Sequence, residues 1–315
     1  MEKEKINFIN QKLNGKGPQI PLYLYKYRPF DEHVFDMLDN AYLFLCQAKK
    51  LDDPSECTVS FDVRDYFNIE SNQLNFRCVA LILDIIRPFT AEENHSKVKE
   101  VVARIMTPDG HVKRNWLLEA SFEIQKFVPA EVSTALVNWL GNIPDRLDDP
   151  AIRSQMEKLF LAAYRAREDM GVCSLSQLEN CEDMWGNYAD NSAGYCVQYD
   201  MQNYAHNEAV FPVVYQDDRQ NNIVMTILAD FIAQMILGIS NGELDADRSR
   251  YVRMFLTKAE KWAYQKEWRI LGDANTRITA PPIKAIYLGK NVSDHNREKM
   301  LHYCTEHGIQ CVQRE

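Results

Sequence analysis

The sequence predicts an α+β fold in which a single sheet is interrupted by a helical block. Three observations lead there. Aromatic and β-branched runs that alternate with period two cluster near the start and return after residue 170. Between about residues 78 and 170 that alternation stops, and apolar residues recur at helical spacing instead. The chain then closes on a strand, a helix and a strand. The organisation expected is an N-terminal helix and linker over 1–21 and a first part of the core over 22–77. A helical insertion over 78–170 follows, then the second part of the core, with a β-α-β tail, over 171–315.

Each element has a local reason. Polar residues with Gly15, Gly17 and Pro18 mark the start as a short helix and a linker. Residues 22–28 alternate as a strand, halted by Pro29, which lacks the N–H that a ladder needs. Asp31 caps a helix to about Leu38, residues 41–46 form a second strand, and Asp52-Asp53-Pro54 turns the chain. Pro108, Pro129, Pro144 and Pro150 divide the helical section, whose apolar stripes include Val98, Ile124, Leu136 and Met156. Strands are expected over 171–175, 194–199 and 209–215, helices over about 221–237 and 247–261, and a strand over 262–270. The tail is expected as 283–289, 294–307 and 309–312.

Composition narrows the class. At 315 residues and 46% hydrophobic, the chain is long enough to bury a large core in one or two domains. A formal net charge of −9 argues against a protein that coats nucleic acid, and leaves room for a local basic groove. The eight cysteines form no C-x-x-C pair, and several lie in apolar runs as buried free thiols do. No apolar stretch has bilayer-spanning length and no signal peptide is evident, so the expected setting is the reducing cytoplasm, without a zinc site. P-loop, G-x-G-x-x-G, G-x-S-x-G and H-E-x-x-H motifs are missing, which removes the common triphosphate, dinucleotide-fold, serine-hydrolase and zinc-protease readings.

Residues 262–270, Trp-Ala-Tyr-Gln-Lys-Glu-Trp-Arg-Ile, carry the most informative pattern. Read as a strand, Trp262, Tyr264, Lys266 and Trp268 share one face, and Ala263, Gln265, Glu267 and Arg269 the other. A carboxylate among large aromatics costs free energy unless it is paired. Glu267 therefore either pairs with Arg269 on its own face or belongs to a Gln-x-Glu pair presented to a ligand. Tyr25-Lys26-Tyr27-Arg28-Pro29 ends a strand on an Arg, suited to holding phosphate or carboxylate, beside rings that stack on a flat heterocycle. The alternative is that Arg28 pairs with the acidic turn at Asp52, Asp53 and Glu56. Cys173-Ser174-Leu175-Ser176 is followed by Met184-Trp185-Gly186-Asn187-Tyr188-Ala189-Asp190 and Gly194-Tyr195-Cys196. Trp185 and Tyr188 then either wall a pocket for a ring and a ribose or form the buried face of a short helix.

Taken together, Tyr-Lys-Tyr-Arg-Pro, an Asp-Pro turn, Cys-Ser-Leu-Ser, Met-Trp-x-x-Tyr-Ala-Asp and Trp-x-Tyr-x-x-Glu-Trp-Arg-Ile resemble a widespread bacterial family of uncharacterised domains. The resemblance runs over about residues 22–289, with the helical middle unmatched. The site order also resembles that of ADP-ribosyltransferases: an Arg on the first strand, a Ser-containing strand, then a Gln/Glu-x-Glu strand. That second resemblance implies an ADP-ribosyltransferase-like split sheet with NAD as co-substrate. It implies Glu267 as the catalytic carboxylate and Gln265 as the residue facing the acceptor. Arg28 would grip the NAD diphosphate or ribose, Ser174 would support the nicotinamide pocket, and Tyr27, Trp185 and Tyr188 would supply the rings around it.

The implied chemistry is coherent. Breaking the nicotinamide–ribose bond develops positive charge on the sugar, which a carboxylate stabilises without a metal, and rings that exclude water suppress hydrolysis. Proteins of this kind resemble intracellular toxins of phage-defence or toxin–antitoxin type, acting on RNA or a protein. Gln265 in place of a second carboxylate points away from arginine acceptors and toward amide, hydroxyl or nucleobase groups. An antitoxin or regulator docked on the helical insertion is the partner this implies, with no membrane involvement. Two other classes remain open. One is a nuclease whose Asp53, Glu56 and Glu267 hold Mg²⁺; the other is a non-catalytic, partner-binding domain in which Arg28 and Glu267 form a buried pair.

Overall fold

The structure, a computed structural model, describes residues 19–53, 56–57, 86, 89–104, 107, 113, 119, 122–141, 149–215 and 252–315. The helices expected near the N-terminus and over 221–237 lie outside the described residues. The chain divides into two compact units, one of Met1–Cys57, Arg167–Asp217 and Val252–Glu315, the other of Thr58–Ala166 and Asp218–Tyr251.

Chain order begins with β1 (Tyr23–Arg28), α1 (Val34–Asp39) and β2 (Tyr42–Gln47). The helices α2 (His95–Ala103), α3 (Ala130–Gly141) and α4 (Pro150–Asp169) follow. Val98, Ile124, Leu136 and Met156 of the expected stripes are buried. Next come β3 (Met170–Ser176), α5 (Glu182–Tyr188), β4 (Tyr195–Asp200), β5 (Val210–Pro212) and β6 (Val214–Tyr215). The remainder is α6 (Val252–Phe255), β7 (Thr257–Lys258), β8 (Glu267–Asp273), β9 (Thr276–Thr279), β10 (Ile283–Leu288), α7 (Asp294–His307) and β11 (Gln310–Gln313).

The protein is a mixed α+β fold. Nine strands form one sheet, ordered β11-β10-β4-β1-β3-β2-β9, with β8 pairing both β3 and β5; β6 and β7 form a small parallel pair. The tail is strand–helix–strand, as expected. Ser293 caps α7 by accepting from the Asn296 N–H, and Gly308 ends it at φ 65°. The helix returns the chain so that β11 lies parallel to β10. On one face of the sheet Tyr25, Tyr27 and Cys196 pack with Met184, Trp185 and Ala189. Close approach of β2 to β3 depends on Gly171, where a Cβ would stand 2.5 Å from the Asp273 carbonyl oxygen and 2.8 Å from Leu45 Cβ.

Three local expectations are corrected, all around one chain reversal. Residues 209–215 are two strands, because the chain changes partner after Pro212. The Val213 N–H donates to the Glu267 carbonyl (2.9 Å) and the Val214 N–H to the Leu256 carbonyl (2.8 Å). The helix expected over 247–261 is, among the described residues, only α6, and β7 then pairs with β6. The strand expected over 262–270 starts only at Glu267. Glu260–Gln265 is a 3₁₀ helix, and Lys266 takes a left-handed backbone at φ 41°. Aromatic content favours a strand here, but the chain must turn from β7 into antiparallel register with β3. That turn is satisfied from outside: Ser176 Oγ donates to the Gln265 carbonyl at 2.7 Å, and the Gln177 N–H to the Lys266 carbonyl at 3.0 Å.

Candidate functional site

The site starts from a defect in the sheet. Along one edge, β3 pairs with β8 over its whole length, from Met170 opposite Asp273 to Ser176 opposite Glu267. Along the other edge, β1 meets β3 only at Tyr25–Ser176, and β2 only at Cys46–Val172 and Gln47–Gly171. Among the described residues no strand covers Cys173, Ser174 or Leu175 on that side, so the sheet forks. The Ser174 carbonyl, which an unbroken ladder would bond, accepts from Lys26 Nζ at 2.7 Å instead.

A cavity of ≈ 250 Å³ opens at the fork. Its walls are residues 25–28 of β1, Phe44 and Cys46 of β2, residues 172–176 of β3, the turn at Lys50–Asp53 with Glu56, Met184 and Tyr188 of α5, and Lys258, Trp262, Gln265, Glu267 and Arg269. The volume is just below the roughly 300–1,000 Å³ usual for small-molecule sites.

The β8 wall is a closed charge network. Glu267 accepts from Arg269 Nε at 2.7 Å and from Lys258 Nζ at 2.9 Å. Arg269 Nη2 donates to Glu56 at 2.6 Å and Nη1 to the Phe255 carbonyl at 2.7 Å. Lys258 Nζ also donates to Gln265 Oε1 at 2.7 Å, and Gln265 Nε2 donates to the Tyr188 hydroxyl at 2.8 Å. Glu56, Lys258, Gln265, Glu267 and Arg269 are all buried. Burial alone would raise the Glu267 carboxyl, but the charges of Arg269 and Lys258 outweigh it and hold the group down at about 2. Burial works against the Arg269 charge too, and the carboxylates of Glu267 and Glu56 more than restore it. Ser174 stands opposite Arg269 across the β3–β8 ladder and lines the same wall. Burial pushes the Tyr188 hydroxyl up to about 12, against the opposing bond from Gln265, so it stays protonated at neutral pH.

The β1 wall is different. Alternation puts Lys26 and Arg28 on the face opposite Tyr25 and Tyr27, and Tyr25 shares its face with Ser176 and Glu267. The Arg28 guanidinium rests 2.7 Å from Met37 Sδ of α1, beside the Tyr195 hydroxyl. It reaches the cavity only because the fork leaves no strand between the two faces.

Of the residues expected in a site, Tyr27, Arg28, Ser174, Tyr188, Gln265 and Glu267 all line this cavity. Trp185 does not. It is fully buried, edge-on to Tyr27 at 5.2 Å, with the Arg314 guanidinium 4.8 Å above its ring. It is the apolar anchor of α5, and of its two expected rings Tyr188, one helical turn on, is the one that faces the cavity. The Glu267–Arg269 pair is present, whereas Arg28 pairs with neither Glu267 nor Glu56, since those two acids are taken by Arg269 and Lys258. Sequence reasoning missed Lys258, Ser176 and the role of Lys26. Lys258 sits in a stretch that reads as helix, and nothing local links it to Gln265. A lysine inside a tyrosine-rich strand was the one available signal for Lys26.

No curated protein and no solved structure matches the chain. Residues 184–270, which take in Met-Trp-x-x-Tyr-Ala-Asp and the Gln-x-Glu segment, match the family described as Protein of unknown function (DUF2971), in keeping with the resemblance to an uncharacterised domain family.

Proposed function

We propose that the fork cavity binds NAD and that the protein transfers ADP-ribose from it to an acceptor on RNA or protein, on an ADP-ribosyltransferase-like split sheet. The observation that carries this reading is the meeting of Arg28, Ser174, Gln265 and Glu267, far apart in sequence, around one cavity at the break between β1 and β3. Arg28 and Lys26 would hold the diphosphate. Among the described residues neither forms an ion pair, so their charge is free for an anion. Tyr27 and Tyr188 would flank the nicotinamide, and Ser174 would support it beside the ionised Glu267. In the transfer, nicotinamide leaves with the electron pair of its bond to the ribose. A lone pair of the acceptor forms the new bond, and the acceptor's proton is released. The toxin setting belongs to the same proposal.

One observation favours a second reading. Glu267 is already neutralised by Arg269 and Lys258, as a purely structural ion network would have it, and the cavity would then serve a non-catalytic binding domain. The same pairing argues against a nuclease, because a metal held by Glu56 and Glu267 would have to displace two cations. The test is labelled NAD with the wild-type protein and Glu267→Gln, with and without EDTA. The expected result is EDTA-insensitive nicotinamide release and labelling of a cellular fraction, both falling about 100- to 1,000-fold in the variant. Wild-type protein that neither binds nor consumes NAD, with a variant altered only in stability, would establish the second reading.

A further inference from the structure

Lys258 stands where the proposed reaction would put its own positive charge. Its ammonium lies 2.9 Å from Glu267 Oε2, while Arg269 Nε bonds the other oxygen, Oε1, at 2.7 Å. A second bond from Lys258, 2.7 Å to Gln265 Oε1, holds it there. Lys258 and Glu267 both line the cavity, yet they are only 7% and 5% exposed. A carboxylate speeds the departure of nicotinamide by facing the positive charge that grows on the ribose. Here a fixed ammonium already neutralises that face, and away from water it would repel the growing cation. As it stands, the site is closed by one of its own side chains.

The strand that carries Lys258 is attached differently from the one that carries Glu267. β8 is held in the nine-stranded sheet along the whole length of β3. β6 and β7 lie outside that sheet as a pair of their own, with Tyr215 opposite Lys258. β6 ends at Tyr215, two residues before the first unit gives way at Asp217, and α6, which leads into β7, begins at Val252, where the chain returns. Both strands of this small ladder are therefore spliced to the second unit. Both also reach Glu267: its N–H donates to the Tyr215 hydroxyl at 2.7 Å, and its carboxylate accepts from Lys258.

We propose that Lys258 is an autoinhibitory cation: the β6–β7 ladder holds it on Glu267 in the resting protein, and a shift of that ladder, driven through its two connections to the second unit, withdraws it and frees the carboxylate. This rests on the transferase reading and adds its regulation. Arg269 keeps its bond to Oε1 throughout, so Glu267 stays ionised while Oε2 turns to the substrate. Withdrawal leaves Glu56 and Glu267 on Arg269 alone, a costly arrangement unless a positive charge enters the cavity, which is why the ligand-free site stays closed.

The test is the rate of nicotinamide release from NAD by the whole chain, with NAD binding followed separately by titration calorimetry. Lys258→Met removes the cation and should raise release roughly tenfold or more, whereas Lys258→Arg keeps it and should stay close to wild type. Val214→Pro acts on the ladder alone. It removes the N–H that bonds the Leu256 carbonyl at 2.8 Å, at an exposed side chain and without touching a charge, and should raise release to a lesser extent. A lysine with a merely structural part can only lose activity when it is removed, so a gain separates the two roles. Release at or below the wild-type rate in a folded, NAD-binding Lys258→Met overturns the inference and leaves the transferase reading standing. No gain in Val214→Pro overturns the part given to the ladder, and that variant alone decides the inference if Lys258→Met fails to fold. A chain that binds no NAD in any of these forms overturns both readings.

Discussion

The two edges of β3 handle charge in opposite ways. On the β8 edge, Glu56, Lys258, Glu267 and Arg269 neutralise one another away from water. On the forked edge, Lys26 bonds a backbone carbonyl and Arg28 leans on a thioether, so two cations keep their charge. The buried acids and bases of the first edge fix geometry, because any one of them left alone would be a desolvated charge. Those of the second have no such partner to lose, and an anion entering the fork gains their full attraction. The contrast separates a wall that positions from a wall that binds.

The sharpest way to break this contrast is Arg269→Met. It leaves two buried carboxylates facing Lys258 alone and should lower the unfolding free energy by about 3–5 kcal/mol, read from urea melts with an unchanged slope. A loss within about 0.5 kcal/mol, ordinary for surface positions, would mean the network does not hold the β8 edge. Arg28→Gln tests the other edge. It should weaken NAD or ADP-ribose binding roughly 10- to 100-fold by titration calorimetry, the usual loss of a charged hydrogen bond, with a far smaller change in stability. Equal effects on binding and folding would erase the distinction between the walls.

Acid sharpens the comparison further. Glu267 titrates at about 2 in the folded chain against 4.5 for a free glutamate, so its stabilising effect is complete above pH 4.5 and is lost as pH falls toward about 2. The melting-temperature gap between wild type and Glu267→Gln should therefore be constant above pH 4.5 and close below it. A gap that also closes toward neutral pH would place the titrating group elsewhere. The smallest effect is expected far from both edges: Ser293→Ala removes the cap of α7 and should cost about 1 kcal/mol in the same melts without touching ligand binding.

These cases also show where the chain is legible. The tail from Ile283 onward can be read from local signals, because a Ser at one end of α7 and a Gly at the other act within a few residues of themselves. The Glu267–Arg269 pair is readable for a similar reason, since two residues apart on a strand is side by side on one face. The segment before it is not. Trp262, Tyr264 and Gln265 have the composition of a strand, and the Ser176 hydroxyl, 89 residues from Gln265 in sequence, together with the Gln177 N–H, shows why the backbone turns there.

By itself the sequence determined the α+β class, the position of most strands and the residue types that a site would draw on, because period, caps and turn residues are short-range properties. It did not determine that β1 and β2 share one edge of β3 and leave a gap between them. That gap brings Arg28 to the cavity from the far face and gives Lys26 a carbonyl to hold. Nor did it show that Lys258 binds both Gln265 and Glu267. Each of these depends on which strand lies beside which, and pairing between distant segments is settled by packing and hydrogen bonding of the whole sheet, not by any window of the chain.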